Sequence, residues 1–243
     1  MVAKTGILYG ISVGTGDPDL ITVKGVRLLQ QVSVVAFPMG VGNQPGIAQT
    51  IISPWLTSEQ KTWALPFPYV QNETELRLAW KQAAEQVWSY LQQGKDVAFA
   101  CEGDTSFYST FTYLAQTLTY YYPSAIIKTV PGVCSPMAVA SVLNLPLTVK
   151  NQRLAILPVL YTLEDLEQTL GWADVVVLLK VSSVYPQVWE ILRRLNLLER
   201  AWVVERATQP EQVIYDELKE QSNLQLSYFS LLIIHVKPPD LRN

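Results

Sequence analysis

Histidine and cysteine are nearly absent from this chain, which carries one histidine and two cysteines in 243 residues. Zinc sites are built mainly from such side chains, so this composition leaves no set of ligands for a metal centre of that kind. Two cysteines are also too few for the disulfide framework of a small secreted domain. We therefore expect a protein of a reducing compartment, the cytoplasm, without a metal.

Charge and long apolar runs are scarce as well. Charged residues make up 16% of the chain and hydrophobic residues 49%, a balance that predicts folded rather than disordered structure. A net charge of −3 provides no general basic field, which argues against nucleic acid as a partner. No apolar run approaches the ~18–20 residues that cross a bilayer, and no signal peptide is visible, so we expect no membrane association.

Several common catalytic patterns are missing too. A phosphate-binding P-loop ends in Gly-Lys-Ser or Gly-Lys-Thr, and neither tripeptide occurs. A nicotinamide site places an acidic residue about 20 residues after its glycines, whereas the acid that follows Asp19 is Glu59. The single histidine, His235, lies inside an apolar run, so a Ser-His-Asp triad is not expected.

The first half of the chain alternates strand-like and helix-like patterns. Short apolar runs between turn residues are typical of strands buried on both faces. We expect strands at 7–13, 33–37, 62–65, 97–100 and 125–130, and helices at 22–31, 44–56, 73–93, 107–120 and 136–143. This order predicts a mostly parallel α/β sheet.

A break near 145–150 predicts two domains, 1–147 and 148–243. The second part contains further strand and helix patterns. We expect strands at 153–157, 175–180, 201–205, 212–215 and 226–236, and helices at 163–170 and 185–195. The second domain is therefore also expected to be of the α/β class.

Three glycine-containing loops follow strands of the first domain. They are Gly14-Thr15-Gly16-Asp17-Pro18, Cys101-Glu102-Gly103-Asp104 and Pro131-Gly132-Val133-Cys134-Ser135. Open α/β sheets bind ligands at the carboxyl ends of their strands, and glycine lets a backbone approach a ligand closely. We expect the three loops to form one pocket.

The loop residues resemble a known family. The segment from Gly14 to Leu20 is similar to the opening signature of the tetrapyrrole methylases, which use S-adenosylmethionine (SAM) as methyl donor. The segment from Glu102 to Leu114 is similar to the subgroup that methylates C-20 of precorrin-2 or of its cobalt complex, cobalt-factor II. Matches at 130–135, 155–158 and 203–208 extend the resemblance over nearly the whole chain.

This resemblance implies two α/β domains, a mostly parallel N-terminal sheet, a mixed C-terminal sheet and SAM bound in the cleft between the domains. It also implies a homodimer that transfers a methyl group to a tetrapyrrole substrate. It assigns no catalytic residue. The positions that match SAM contacts of the family are Thr15, Glu102, Gly103, Asp104, Phe107, Cys134, Ser135, Lys180 and Ala207.

Three positions depart from the family pattern. Relatives commonly have proline where Thr15 and Thr105 stand, and the subgroup has an acidic residue at Asn72, which we interpret as a helix cap. These departures leave open a SAM-binding homologue without activity. Methylation of another tetrapyrrole carbon, of RNA or of a diphthamide precursor also stays open, as does a nicotinamide oxidoreductase.

Other prominent residues have structural interpretations. Cys101 and Cys134 are expected to be small packing residues, because no histidine is at hand to generate a thiolate. Asp17 and Asp104 fit either loop-stabilising turns or ligand contacts. A proton released after methyl transfer has Tyr108, Glu102 or a substrate carboxylate as its possible acceptors.

Overall fold

The computed structural model describes residues 5–40, 44–68, 72–160 and 162–237. The chain divides into two compact units, Met1–Cys134 and Ser135–Asn243. Each unit is built on a five-stranded sheet with helices. The expected fold class is confirmed, because the first sheet is parallel and the second is mixed. The expected domain boundary between residues 147 and 148 stays a prediction.

The first unit contains five strands and four α-helices within its described residues. The strands are β1 (Ile7–Ser12), β2 (Val34–Pro38), β3 (Lys61–Leu65), β4 (Val97–Cys101) and β5 (Ile126–Val130), and the helices are α1 (Val23–Gln31), α2 (Ile47–Ile52), α3 (Glu73–Leu91) and α4 (Thr110–Tyr121). The strand order is β3-β2-β4-β1-β5, and every pair is parallel. The carboxyl ends of β4, β1 and β5 are therefore neighbours at one edge.

Apolar clusters cover both faces of this sheet. On one face, Leu8 and Phe99 pack in a cluster with Leu114 of α4. On the other face, Ile11 packs in a cluster with Ile51 of α2. Every residue of the central strand β4 is buried, which explains its continuous apolar run.

Polar caps set where several helices begin. Thr22 accepts a hydrogen bond from Gly25 N at the start of α1, and Ser109 accepts one from Phe111 N at the start of α4. Helix α4 therefore begins three residues later than expected, since 105–108 form a turn in which Tyr108 has a φ of 49°. Helix α2 is shorter than the expected 44–56, and a 3-10 turn (Ser53–Trp55) that contains Pro54 follows it.

The second unit combines three α-helices and five strands among the residues that the structure describes. In chain order they are α5 (Ser135–Val142), β6 (Leu154–Leu157), α6 (Leu163–Trp172), β7 (Val175–Leu179), α7 (Tyr185–Arg194), β8 (Ala201–Glu205), β9 (Val213–Tyr215) and β10 (Ser230–His235). The strand order is β6-β7-β10-β8-β9, with β6 parallel to β7 and the other pairs antiparallel. Both β7 and β8 run opposite to β10, so their carboxyl ends share an edge.

The second sheet is covered on both faces as well. Val139 and Ala140 of α5 pack in a cluster with Val177 and Ile233. Leu166 of α6 belongs to the larger cluster on the other face. Of the helices in the described ranges, none is long and apolar enough to cross a membrane.

The cap of α3 provides a test of the structural interpretation of Asn72. Asn72 Oδ1 accepts hydrogen bonds from Thr74 N at 3.0 Å and from Glu75 N at 3.3 Å. We expect Asn72→Ala to lower the free energy of unfolding by about 0.5–2 kcal/mol, since two amides lose their acceptor. Asn72→Asp should keep the stability, because its carboxylate offers the same acceptor. Urea unfolding measures both variants, and an equal loss in the two would contradict the cap.

Candidate functional site

The loops after β1 and β4 are joined backbone to backbone. Val13 N donates to Cys101 O at 2.9 Å, Gly14 N donates to Gly103 O at 3.3 Å, and Gly103 N donates to Gly14 O at 2.7 Å. Gly14 and Gly103 have φ angles of 80° and 67°, a region that glycine enters without strain. Glycine is therefore required at the two positions where these loops meet.

Ser12, the last residue of β1, ties the same two loops through its side chain. It is fully buried, and its Oγ accepts a hydrogen bond from Thr105 N at 2.9 Å. The hydroxyl group also lies 3.4 Å from Asp104 Oδ2 and 3.3 Å from Thr105 Oγ1. Ser12 is absent from the expected site residues, although a polar residue at the carboxyl end of an apolar strand is the signal that marks it.

The segment around Ser12 also has the Gly-x-Ser-x-Gly spacing of a hydrolase nucleophile elbow, from Gly10 to Gly14. That elbow exposes its serine at a sharp turn, whereas Ser12 has no exposed surface. The one histidine of the sequence, His235, is the buried last residue of β10 and contacts Trp202 edge-on. Ser12 therefore holds two loops together through hydrogen bonds and does not act as a nucleophile.

Asp104 brings the third loop into the group. Gly132 N donates to its Oδ2 at 2.8 Å, and Ser106 donates to its Oδ1 through the backbone N at 2.8 Å and through the hydroxyl. Burial raises the pKa of Asp104, but these hydrogen bonds outweigh burial and hold the pKa below its usual value. The turn interpretation is correct for Asp104, and the same carboxylate also fixes a negative charge between two loops.

Gly132 approaches the other loops too closely for a side chain. A Cβ atom at this position would lie 2.5 Å from Ser12 Cβ and 3.1 Å from Gly103 O. The structure therefore brings Glu102, Gly103 and Asp104 together with the loop that leads to Cys134. Thr15, which follows Gly14, is buried, and the Phe107 ring lies edge-on to the Tyr108 ring at 4.8 Å.

The sheet edge at the carboxyl ends of β4, β1 and β5 carries two carboxyl groups and has open space at Gly103. Among the described residues, nothing lies within 4 Å of the position that a Cβ of Gly103 would take. Burial raises the pKa of the adjacent Glu102 to about 7. Space beside an ionised Asp104 and a titrating Glu102 suits a ligand with positive charge, such as a sulfonium or an ammonium group.

Two residues of these loops have local roles. Cys101 is buried with its Sγ 2.7 Å from Ser109 Oγ, and burial raises its pKa to about 11, so it is a packing thiol and no nucleophile. Asp17 Oδ1 accepts from Asp19 N at 2.9 Å and caps the short helical turn Pro18–Leu20. Within the described residues, no cluster of three or more His, Cys, Asp or Glu could hold a metal ion.

Two expected site residues of the second unit, Lys180 and Ala207, lie near the carboxyl ends of β7 and β8. Lys180 and Arg206 follow these strands with φ angles of 55° and 48°, and Thr208 has a φ of 67°. Lys180 Nζ lies 5.3 Å from the centre of the Tyr228 ring. Left-handed backbone at non-glycine residues concentrates at functional sites, so this edge is a candidate binding surface of its own unit. Ala207 is buried there.

Ser135 and Glu205 are two further polar residues of the second unit. Ser135 is the first residue of α5. Glu205 ends β8 and accepts hydrogen bonds from Ser227 N at 2.5 Å and from the Tyr215 hydroxyl at 2.9 Å. Burial raises the pKa of Glu205, but these bonds outweigh burial and hold it below its usual value. Its carboxylate therefore fastens the chain before β10 to this edge.

A family model for the tetrapyrrole (corrin/porphyrin) methylases matches residues 7–221. This chain belongs to the tetrapyrrole methylases. It is 29% identical over 231 residues to the cobalt-precorrin-2 C(20)-methyltransferase of Salmonella typhimurium, covering 95% of this chain and 96% of the relative. It is 27% identical over 237 residues to the precorrin-2 C(20)-methyltransferase of a Sinorhizobium species, covering 94% and 95%.

A solved structure extends the family assignment to the fold. The uroporphyrin-III C-methyl transferase from Thermus thermophilus, complexed with S-adenyl homocysteine, superimposes with a TM-score of 0.64 at 20% identity. The match covers 94% of this chain and 97% of the other. The family expected from the loop residues is therefore confirmed, and so is the fold that the resemblance implied.

Gly132 tests the close approach of the loops. We expect Gly132→Ala to lower the free energy of unfolding by about 1–3 kcal/mol, because its methyl group would overlap Ser12. Gly171→Ala is the matched control, since in the described part of the chain nothing lies within 4 Å of its Cβ position in α6. The control should keep or slightly raise the stability. Equal urea midpoints for the two variants would contradict the packing of the loops.

Glu102 predicts a pH dependence of stability. Its pKa of about 7 in the folded protein exceeds the ordinary 4.5, so the folded state holds a proton that the unfolded state releases between these values. Stability should therefore fall as pH rises from about 4.5 to 7, by at most about 3 kcal/mol, and level off above. Glu102→Gln should lack this contribution. Urea midpoints of both proteins between pH 4 and 8 measure the difference, and parallel curves would contradict it.

Proposed function

We propose that this chain transfers the methyl group of SAM to C-20 of precorrin-2 or of its cobalt complex in cobalamin biosynthesis. Membership of the tetrapyrrole methylases supports the reaction class. The observation that supports C-20 as the methylated carbon is that relatives named C(20)-methyltransferases match this chain over nearly their whole length. The anionic, open edge at Gly103 fits a donor that carries positive charge.

The chain's own residues supply position and charge. SAM, when bound, supplies an electrophilic methyl carbon on a positively charged sulfur. The Asp104 carboxylate would lie beside that charge, and Gly103 would let the donor approach the backbone. The hydrogen bonds from Gly132 and Ser106 hold the carboxylate in place before any ligand arrives. This geometry orients the donor and repels anions from its side of the site.

The mechanism needs no histidine, because the nucleophilic carbon belongs to the substrate. Holding two reactants in line contributes up to ~7–11 kcal/mol to catalysis, whereas a general base contributes about 10²–10⁴-fold. Methyl transfer breaks the sulfur–methyl bond and forms a carbon–methyl bond at C-20, with electrons from the conjugated macrocycle. C-20 then gives up its proton. We propose Glu102 as the acceptor, since it precedes Gly103 in the same loop and burial raises its pKa to about 7.

Nine residues are candidates for direct contact with SAM. We propose that SAM contacts Thr15, Glu102, Gly103, Asp104, Phe107 and Cys134 of the first unit and Ser135, Lys180 and Ala207 of the second. The joining of the loops around Gly103 and Asp104 supports the first group. The left-handed backbone at Lys180 and the buried Ala207 support the second.

Asp104 provides the sharpest test of donor binding. We expect Asp104→Asn to raise the SAM dissociation constant about 10-fold, because the amide keeps an acceptor for Gly132 N but loses the charge and the second acceptor, which Ser106 uses. Asp165→Asn, on the exposed first turn of α6, is the control and should leave the constant unchanged. Isothermal titration calorimetry measures both. An Asp104→Asn protein that binds SAM as the wild type does would contradict the role of the carboxylate.

The reaction itself is tested by incubating the wild-type chain with labelled SAM and either metal-free or cobalt-loaded precorrin-2. We expect one methyl group at C-20, and the preferred substrate identifies the route. A product methylated at another carbon would support a sibling activity. SAM binding without transfer to either substrate would support a non-catalytic homologue.

We further propose that the chain acts as a homodimer in the cytoplasm. The family resemblance supports the dimer. The sequence has two cysteines, too few for the disulfide framework of a secreted domain, which supports a reducing compartment. Sedimentation velocity at micromolar concentration measures the oligomeric state.

A further inference from the structure

A cavity of about 400 Å³ lies at the carboxyl ends of β2 and β3, beside α3. Neither the loop network nor the proposed donor contacts use it. The lining residues that matter are Met39, Phe67, Glu75, Leu78, Ala79 and Gln82. The cavity belongs entirely to the first unit.

The walls of this cavity are mainly apolar and yet open to solvent. Met39 and Leu78 are 48% and 55% exposed, while their neighbour Ala79 belongs to the buried face of α3. The Phe67 ring packs edge-on against the buried Phe99 ring at a centroid distance of 5.9 Å, which anchors one wall to the core. Grouped exposed apolar side chains on a fixed wall are typical of a ligand surface.

The strand order places the cavity next to the three joined loops. Strands β3, β2 and β4 are consecutive neighbours in a parallel sheet. Adjacent strands lie about 5 Å apart, so the ends of β2 and β3 lie roughly 5–10 Å from the end of β4. Glu102 and Gly103 follow that end. A flat ligand several rings wide reaches from the cavity to these two residues.

We propose that this cavity binds one side of the tetrapyrrole macrocycle of the substrate, with the ring face on Met39, Phe67 and Leu78. This inference rests on the proposed function and extends it to the second reactant. Burial of the ring face against these side chains supplies binding free energy through the hydrophobic effect.

The polar residues of the cavity decide which part of the substrate it accepts. Among the described lining residues, Glu75 is the one charged group, and Gln82 adds an amide. A carboxylate at this place repels the acidic side chains of the substrate and accepts hydrogen bonds from pyrrole N–H groups. The cavity therefore selects the ring and directs the acidic chains elsewhere. By holding one side of the macrocycle, it determines which bridging carbon lies near Gly103.

Substitution of Leu78 tests the cavity, because this side chain is largely exposed and contributes little to the core. We expect Leu78→Ser to raise the KM for the accepted form of precorrin-2 about 10-fold or more, since a buried leucine contact is lost on binding. The SAM dissociation constant and the urea midpoint should stay at their wild-type values. Leu78→Met should keep the KM within about 3-fold of wild type, because it preserves the apolar contact.

The matched control is Leu195→Ser, which alters an exposed leucine that follows α7 in the second unit. Its KM should equal that of the wild type. Met39→Ser provides an independent measurement at a lining residue that follows β2 and should raise the KM in the same way. A wild-type KM in both Leu78→Ser and Met39→Ser would overturn the inference.

The experiment separates this inference from the proposed function. If the wild-type chain methylates neither form of precorrin-2, the proposed function fails first. If it methylates one form at C-20 while both cavity variants keep the wild-type KM, the function stands and the cavity assignment fails. A Leu78→Ser variant that dissociates a dimer without changing the KM would assign this surface to a second copy of the chain and overturn the inference.

Discussion

The arrangement of the candidate site depends on the hydrogen bonds that converge on Ser12 and Asp104. Ser12 accepts from Thr105 N, and Asp104 accepts from Gly132 N, so two short side chains connect the loops after β1, β4 and β5. Gly14, Gly103 and Gly132 let the backbones approach as closely as these bonds demand. Together with the backbone hydrogen bonds between Gly14 and Gly103, these contacts hold loops that the parallel strands have already brought to one edge. The local network, and no single residue, forms the surface.

The same network explains the electrostatics of the edge. Asp104 is partly buried, which opposes its ionisation, but its hydrogen-bond donors reverse that effect and keep it charged. Glu102 is also withdrawn from water, and burial raises its pKa to about 7. Two neighbouring carboxyl groups thus differ in charge at neutral pH, because burial dominates at Glu102 and hydrogen bonds dominate at Asp104. A fixed anion beside a titrating acid suits a reaction that consumes a cationic donor and releases a proton.

Much of the fold could be predicted from the sequence because its signals are local. The apolar run of β4, the caps at Thr22 and Asn72, and the alternation of strands and helices define the elements of the first unit. The expected start of α4 at residue 107 was wrong, because a turn at Thr105–Tyr108 takes the place of the first helical turn. The role of Ser12 could not be predicted from local sequence patterns, because its hydrogen-bond partners lie about ninety residues away in the chain. Residue type alone did not distinguish the role of Asp17 from the role of Asp104, since both aspartates precede a turn.

The sequence by itself determined the family, the parallel first sheet and the three glycine-containing loops. These properties follow from hydrophobic pattern and from residues adjacent in the chain. Only the tertiary structure decided that Asp104 bridges two loops while Asp17 caps a local turn. It also decided that Met39, Phe67 and Leu78 line one cavity beside the end of β4. The physical reason is that strand order sets these distances, and strand order depends on how separated segments pack rather than on the segments themselves.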